Sequence, residues 1–210
     1  MRGPGAAYRS SRSSDRIEAT VTIFTVAAVI RILFIGNSLT FVNDLPSRVA
    51  ELASTPALTV ECEMVAFPDY SLADHWERGD AVRAIRRGGW TFVVLQQGPS
   101  ALPESRVQLI DSTKRFDTEI RKVHARTALY MVWPTAPRRG DFSGVIASYT
   151  AAAQAVQGIL LRVGERFRSA PPNTAQSLFG PDGFHPSVAG SALAARIITD
   201  ELMNCWYHNC

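Results

Sequence analysis

The strongest constraint on this chain is a repeated exchange of hydrophobic periods along its length. Short apolar runs rich in branched residues alternate with stretches whose apolar residues recur every three or four positions. Ile30 to Ile35 is apolar except for Arg31 and breaks at Gly36-Asn37-Ser38, as expected of a buried strand ending in a turn. A helix opened by Asn43 or Asp44 and Pro46 follows, with Leu45, Val49 and Leu52 on one face. Leu58, Val60, Cys62 and Met64 then alternate with Thr59, Glu61 and Glu63, the pattern of a half-buried strand near an edge.

The exchange continues to the end of the chain. Ser71 caps a helical stretch through Trp76, Val82 and Ile85 that Gly88-Gly89 stops, and Trp90 to Leu95 reads as a third strand. A long amphipathic helix carries Leu109, Phe116, Ile120 and Val123, and Ala128 to Trp133 reads as a fourth strand. Residues 141–156 are helical, Ile159 to Val163 reads as a fifth strand, residues 166–183 read as irregular, and Ser187 caps a last helix. Such alternation predicts an α/β fold: a parallel sheet of about five strands with helices on both faces and the ligand site beyond the carboxyl ends of the strands.

Length and charge narrow the function classes. With 210 residues, 46% hydrophobic, the chain can bury one sizeable core but is short for two. The expected division is an extension over residues 1–29, one domain over 30–203 and a tail over 204–210. Much of the net charge of +3 comes from Arg2, Arg9, Arg12 and Arg16, so the domain itself is nearly neutral and nucleic acid is not expected as a partner. The extension reads as disordered or as a weak signal sequence cleaved after Ala28; Arg31 prevents a stable membrane span. The disordered reading is favoured, and with it a soluble, cytoplasmic protein over a secreted one. Oligomeric state is not legible.

Cys62, Cys205 and Cys210 cannot all pair within the chain, which argues against a disulfide framework. Cys205, His208 and Cys210 lack the second pair of ligands that a structural zinc site needs, so the end of the chain reads as a loose tail and no metal is expected.

In such a sheet every strand end faces the same crevice, so the candidates for chemistry are the residues just after the strands. Ser38 follows the first strand, and a serine hydroxyl needs a base to become a nucleophile. Only four histidines are available. His124 lies on the charged side of the long helix, His208 in the tail, and His75 beside Trp76 as a structural or pocket-lining residue. His185 alone lies in an irregular segment before a helix, with Asp182 three residues earlier in Pro181-Asp182-Gly183-Phe184-His185-Pro186-Ser187. A loop containing Gly183 can fold that carboxylate onto one imidazole nitrogen and leave the other for serine.

With these two blocks the chain resembles the SGNH/GDSL hydrolases. The family's strand followed by Gly-Asp-Ser-Leu is similar to Ile35-Gly36-Asn37-Ser38-Leu39, with Asn37 in place of the aspartate, and its Asp-x-x-His block is similar to Asp182–His185. The resemblance spans roughly residues 30 to 203 and implies a three-layer flavodoxin-like fold and an acyl-enzyme mechanism without cofactor. It assigns Ser38 as nucleophile, His185 as base and Asp182 as its orienting acid.

The middle blocks depart from the family's. Where a glycine usually follows the second strand, Phe67-Pro68-Asp69-Tyr70 stands here; Asp69 can offer its backbone N–H to an oxyanion, whereas Pro68 has none. Where Gly-x-Asn-Asp usually follows the third strand, Leu95-Gln96-Gln97-Gly98 stands here; Gln97-Gly98 is similar to the Gln-Gly of sialate and xylan acetylesterases. The expected oxyanion hole is therefore the Ser38 N–H, the Gln97 amide, with Gln96 as fallback, and the Asp69 N–H. Trp133-Pro134 and Phe184 are candidate pocket walls, and Arg138 and Arg139 a solvated turn or an attractor of acidic substrates. The expected partner is a small-molecule or carbohydrate ester with a short acyl group, by analogy O-acetyl on carbohydrate. Two alternatives stay open: a lysophospholipase or thioesterase of the same fold, and a noncatalytic carbohydrate-binding relative whose oxyanion hole is lost.

Overall fold

The computed structural model describes Met1, residues 28–208 and Cys210. Apart from Met1, Ala28 and Val29, the expected N-terminal extension lies outside the described residues. Ala28 and Val29 already belong to the first strand, where they pair with Leu58 and Thr59.

Among the described residues one sheet has five strands: β1 (Ala28–Gly36), β2 (Leu58–Ala66), β3 (Phe92–Leu95), β4 (Arg126–Tyr130) and β5 (Ile159–Leu161). Their order is β2-β1-β3-β4-β5, and every pair is parallel. Parallel neighbours need crossovers, and the right-handed rule sends crossovers to opposite faces when the order of strands reverses. On one face, α2 (Leu45–Ala53) packs against α9 (Val188–His208). On the other, α5 (Pro103–Lys122) packs against α3 (Leu72–Arg78), α4 (Asp80–Arg86) and α6 (Phe142–Ala155).

The strand order explains the burial patterns. β1 has neighbours on both sides and helices on both faces, so Ile32 through Ile35 are wholly buried, whereas the edge strand β2 alternates. Arg31 is tolerated in β1 because it reaches the rim: its guanidinium sits 2.9 Å from Glu63, 3.4 Å from Glu61 and 4.5 Å from the centre of the Trp90 ring. The order reverses between β1 and β3, so a crevice opens where β1 ends at Gly36 and β3 ends at Leu95.

Several element boundaries differ from the periodicity reading. The helix expected after Ser71 is two helices, because Gly79 at φ 82° breaks the ladder between α3 and α4. The fourth strand ends at Tyr130; Met131 to Trp133 are as buried as a strand, and Met131 N still donates to Leu161 O at 3.1 Å, but they lie beyond it. Val163 starts a helix, α7 (Val163–Ser169), and the segment expected to be irregular contains the rest of α7 and the short α8 (Pro172–Ala175). Apolar content there reflects burial of a helix under α6 and α9, which periodicity over so few residues cannot distinguish from a strand.

The carboxyl end is not a loose tail within the described residues. The helix α9 continues to His208, Cys205 is buried, and Cys205 and Cys210 form a disulfide. Cys62 is the free cysteine of the described residues. Among the described residues no helix is long and apolar enough to cross a membrane.

Candidate functional site

The site begins at the turn after β1. Asn37 is the N-cap of α1 (Ser38–Phe41): its Oδ1 accepts from Leu39 N at 3.1 Å, which sets Ser38 at the first helical position. Gly36 is required by close approach, since a Cβ there would lie 2.3 Å from both Gln96 Oε1 and Thr40 Oγ1. Ser38 is almost buried, and its hydroxyl is the outward end of a tightly packed turn.

The second block arrives from the other end of the chain. Gly183, at φ 67°, lets residues 180–186 turn back on themselves, and Gly180 N donates to His185 O at 2.7 Å to close the turn. Asp182 Oδ1 accepts from the backbone N–H groups of Phe184 and His185, both at 3.0 Å, and its Oδ2 lies 2.5 Å from His185 Nδ1. With its oxygens so occupied, above all by the imidazole, the carboxyl is held down to about 2 and stays ionised. His185 Nε2 is 2.9 Å from Ser38 Oγ. The structure thus brings Ser38, His185 and Asp182 into one hydrogen-bonded chain. Because an ionised Asp182 can only accept, Nδ1 carries the proton and Nε2 is free to take one from Ser38.

Three contacts that the sequence did not reveal hold this loop. Trp133 Nε1 donates to Phe184 O at 3.0 Å, Ala136 N to Gly183 O at 2.7 Å, and Asn43 Nδ2 to Pro186 O at 3.0 Å. Trp133 is wholly buried, stacked 3.7 Å from Phe167, so it is a brace and not the pocket wall expected of it. Phe184 does line the cavity at Ser38.

That cavity, about 300 Å³, is also lined by Asp69, Tyr70, Gln97, Ser100 and Gln108. Asp69 adopts φ 62°, the left-handed conformation that glycine favours and that aspartate tolerates better than most residues. The backbone of a glycine turn is therefore retained without the glycine. Gln97 is buried; its Oε1 accepts from Leu72 N at 3.1 Å and its Nε2 donates to Ser100 Oγ at 2.8 Å, which leaves one amide proton. Tyr149 pins the adjacent backbone, donating to Gln97 O at 2.6 Å.

Gln96 is a different kind of residue from Gln97. Its Oε1 accepts from Asn37 N and Thr40 Oγ1, both at 2.8 Å, and its Nε2 donates to Asn37 Oδ1 at 2.9 Å and Gln97 O at 2.7 Å. All four hydrogen-bonding positions are used, so no proton remains for a ligand and the fallback role is excluded. Asn37 completes the link by donating from Nδ2 to Tyr70 O at 3.1 Å, a bond that an aspartate cannot make.

The other histidines stand apart from this chain of contacts. His75 is wholly buried among Phe67 and Tyr70, with Nε2 2.7 Å from Gly36 O, and burial pushes its pKa down. It supports the Ser38 turn from behind. His124 is exposed after α5, and His208 ends α9. Arg138 is paired with Asp141 at 2.6 Å, whereas Arg139 lines a separate, larger cavity.

No protein-family model matches the sequence, and no curated protein matches it. Solved structures do. A candidate SGNH hydrolase from Slackia heliotrinireducens is similar over 83% of this chain and 99% of its own, with 29% identity and a TM-score of 0.72. A lipase/acylhydrolase from Enterococcus faecalis is similar over 83% of this chain and 96% of its own, with 15% identity and a TM-score of 0.65. An acetyl-xylooligosaccharide esterase from Geobacillus stearothermophilus covers 85% of this chain and 96% of its own, with 15% identity and a TM-score of 0.65. The structural neighbours are thus SGNH/GDSL hydrolases and esterases over most of the chain, and the α/β/α fold with strand order 2-1-3-4-5 is the SGNH hydrolase fold.

Proposed function

We propose that this chain is a serine esterase of the SGNH type, hydrolysing carboxylic esters with a short acyl group through an acyl-enzyme on Ser38. The observation that carries the reading is the contact of 2.9 Å between Ser38 Oγ and His185 Nε2, continued at 2.5 Å to Asp182. A binding module has no use for a serine held to a histidine in the tautomer that accepts its proton.

In the first step the Ser38 hydroxyl proton passes to His185 Nε2 as Oγ bonds to the ester carbonyl carbon, and the carbonyl π pair moves onto oxygen. Asp182 stabilises the imidazolium. The oxyanion is held by the Ser38 N–H, the remaining Gln97 amide proton and the Asp69 N–H. On collapse the bond from carbon to the alcohol oxygen breaks, and His185 gives its proton to that oxygen. Water then repeats the sequence against the acyl-enzyme and releases the acid. Every catalytic group in this scheme belongs to the chain, within the domain that runs from β1 to α9.

The small cavity at Ser38 supports a short acyl group, and the likeness in fold to an acetyl-xylooligosaccharide esterase supports an O-acetylated carbohydrate as the ester. Labelling with a fluorophosphonate tests the reading: the parent protein is expected to react and Ser38→Ala is not. Equal labelling of both removes Ser38 from its role, and labelling of neither favours a binding protein. Hydrolysis of p-nitrophenyl esters of increasing chain length is expected to fall beyond the shortest; a maximum at long chains favours a lysophospholipase or thioesterase.

A further inference from the structure

A cavity of about 1020 Å³, larger than the one that contains Ser38, lies beside it in the fold. It borders the loop that carries Asp182 and His185: Gly180, Pro181, Gly183 and Pro186 of that loop are part of its wall. The volume matches that of small-molecule sites. Its lining joins apolar surface, chiefly Phe179, Pro181 and Val188, to the polar groups of Asn43, Gln176 and Ser187 and to one cation, Arg139. No carboxylate side chain is in that lining.

Arg139 differs from its neighbour in the sequence. Arg138 is neutralised by Asp141 at 2.6 Å, whereas Arg139 makes no ion pair among the described residues and rests 5.7 Å from the Phe142 ring. Asp182 forms no ion pair with it, because both carboxylate oxygens are bonded to the backbone and imidazole of its own loop. A cation over an apolar cavity without an acid recognises a carboxylate or phosphate joined to an apolar body.

We infer that this cavity receives the alcohol part of the ester and selects, through Arg139, alcohols that carry a negative charge. The inference rests on the esterase reading and on the geometry of proton return. In the tetrahedral intermediate the oxyanion points to the donors at Ser38, Gln97 and Asp69, while the alcohol oxygen must face His185 Nε2 to receive its proton. The alcohol part therefore extends across the imidazole, toward the side walled by Gly183 and Pro186. The acyl group keeps the smaller cavity. Two lining residues, Ala136 and Asn43, bond to the same loop, so an occupant there bears directly on the segment that positions His185.

The test uses two acetyl esters of similar shape, 4-acetoxybenzoate and 4-acetoxybenzamide, with the full chain. Arg139→Ala is expected to raise KM for the benzoate ~10-fold relative to the amide, and Arg139→Lys by less, as loss of a charge-assisted contact implies. Gln176→Trp, which narrows the cavity, is expected to raise KM for both. Binding of 4-hydroxybenzoate to Ser38→Ala, followed by calorimetry, gives a readout without turnover and is expected to weaken by a similar factor when Arg139→Ala is added. An unchanged ratio of KM values, or binding indifferent to Arg139, overturns the inference and leaves the esterase reading standing. Binding that depends on Arg139 without cleavage of either ester overturns the esterase reading and with it the assignment of the cavity to the alcohol. Neither binding nor cleavage overturns both.

Discussion

Replacing Gln96 by alanine removes the one side chain that ties the turn after β1 to the end of β3. Four hydrogen bonds go with it, but their consequences differ. Asn37 Oδ1 keeps Leu39 N, and Gln97 O keeps the Tyr149 hydroxyl, so both acceptors remain satisfied. The Asn37 N–H and the Thr40 hydroxyl have no second acceptor, and both residues are buried. A stranded buried donor costs about 1–2 kcal/mol, and the space left by the shortened side chain adds roughly 1 kcal/mol. The total is about 3–5 kcal/mol, a large part of the stability of an ordinary domain. Thermal unfolding is expected to fall by roughly 10 °C for a domain of this size. A loss within about 1 kcal/mol, seen as a shift of no more than ~4 °C, refutes the reasoning.

The Gln96→Glu variant sharpens that test through pH. A carboxylate keeps the two acceptor roles toward Asn37 N and Thr40, but its second oxygen then faces Asn37 Oδ1 and the Gln97 carbonyl, where the amide donated. The folded protein favours the protonated acid, so its pKa is raised in the fold. The variant's stability is then greatest below the unfolded carboxyl range, ~4, and declines as pH rises. Equal stability from pH 4 to 7 contradicts the assignment of those two bonds.

Further outcomes follow from the same contacts. Asp182→Asn is expected to lower kcat by ~10⁴-fold, because an amide can present a proton to Nδ1 and turn the imidazole tautomer; activity within ten-fold of the parent sinks the orienting role. Gln97→Ala is expected to lower kcat by ~100-fold if its free proton meets the oxyanion, with little change in KM. Asn37→Asp places a carboxylate oxygen against the Tyr70 carbonyl and is expected to lower both stability and activity, read by denaturant melts beside ester hydrolysis. Glu119, held down to about 2 by Arg86 at 2.7 Å and Lys122 at 2.6 Å, stabilises the contact between α4 and α5 above the unfolded carboxyl pKa and loses that contribution as pH falls toward 2. In Glu119→Gln that part of the acid sensitivity is expected to disappear from the melts.

The alternation of periods was enough to predict a parallel sheet with helices on both faces, because a strand and a helix each repeat their buried positions at a spacing visible in a dozen residues. The candidate residues Ser38, Asp182 and His185 were legible for a related reason: each sits in a short segment whose turn residues restrict the backbone locally. Asp69 and Gln97 were legible only by position, since nothing in the sequence reports a left-handed backbone at Asp69 or the one free proton on Gln97.

Contacts between distant segments were decided by the tertiary structure alone. Gln96 and Gln97 are adjacent and chemically identical, yet one is used up as a brace and the other lines the cavity at Ser38, because successive side chains at a strand end point to opposite sides. Trp133 is separated from Phe184 by 51 positions and Asn43 from Pro186 by 143, and both hold the loop of His185. Arg138 and Arg139 read as one basic turn until the fold neutralises the first and sets the second over a cavity. Local sequence determines the dihedral angles and periods that make an element; which side chains then meet depends on packing among elements far apart in the chain, and that is where the chemistry of this site is assembled.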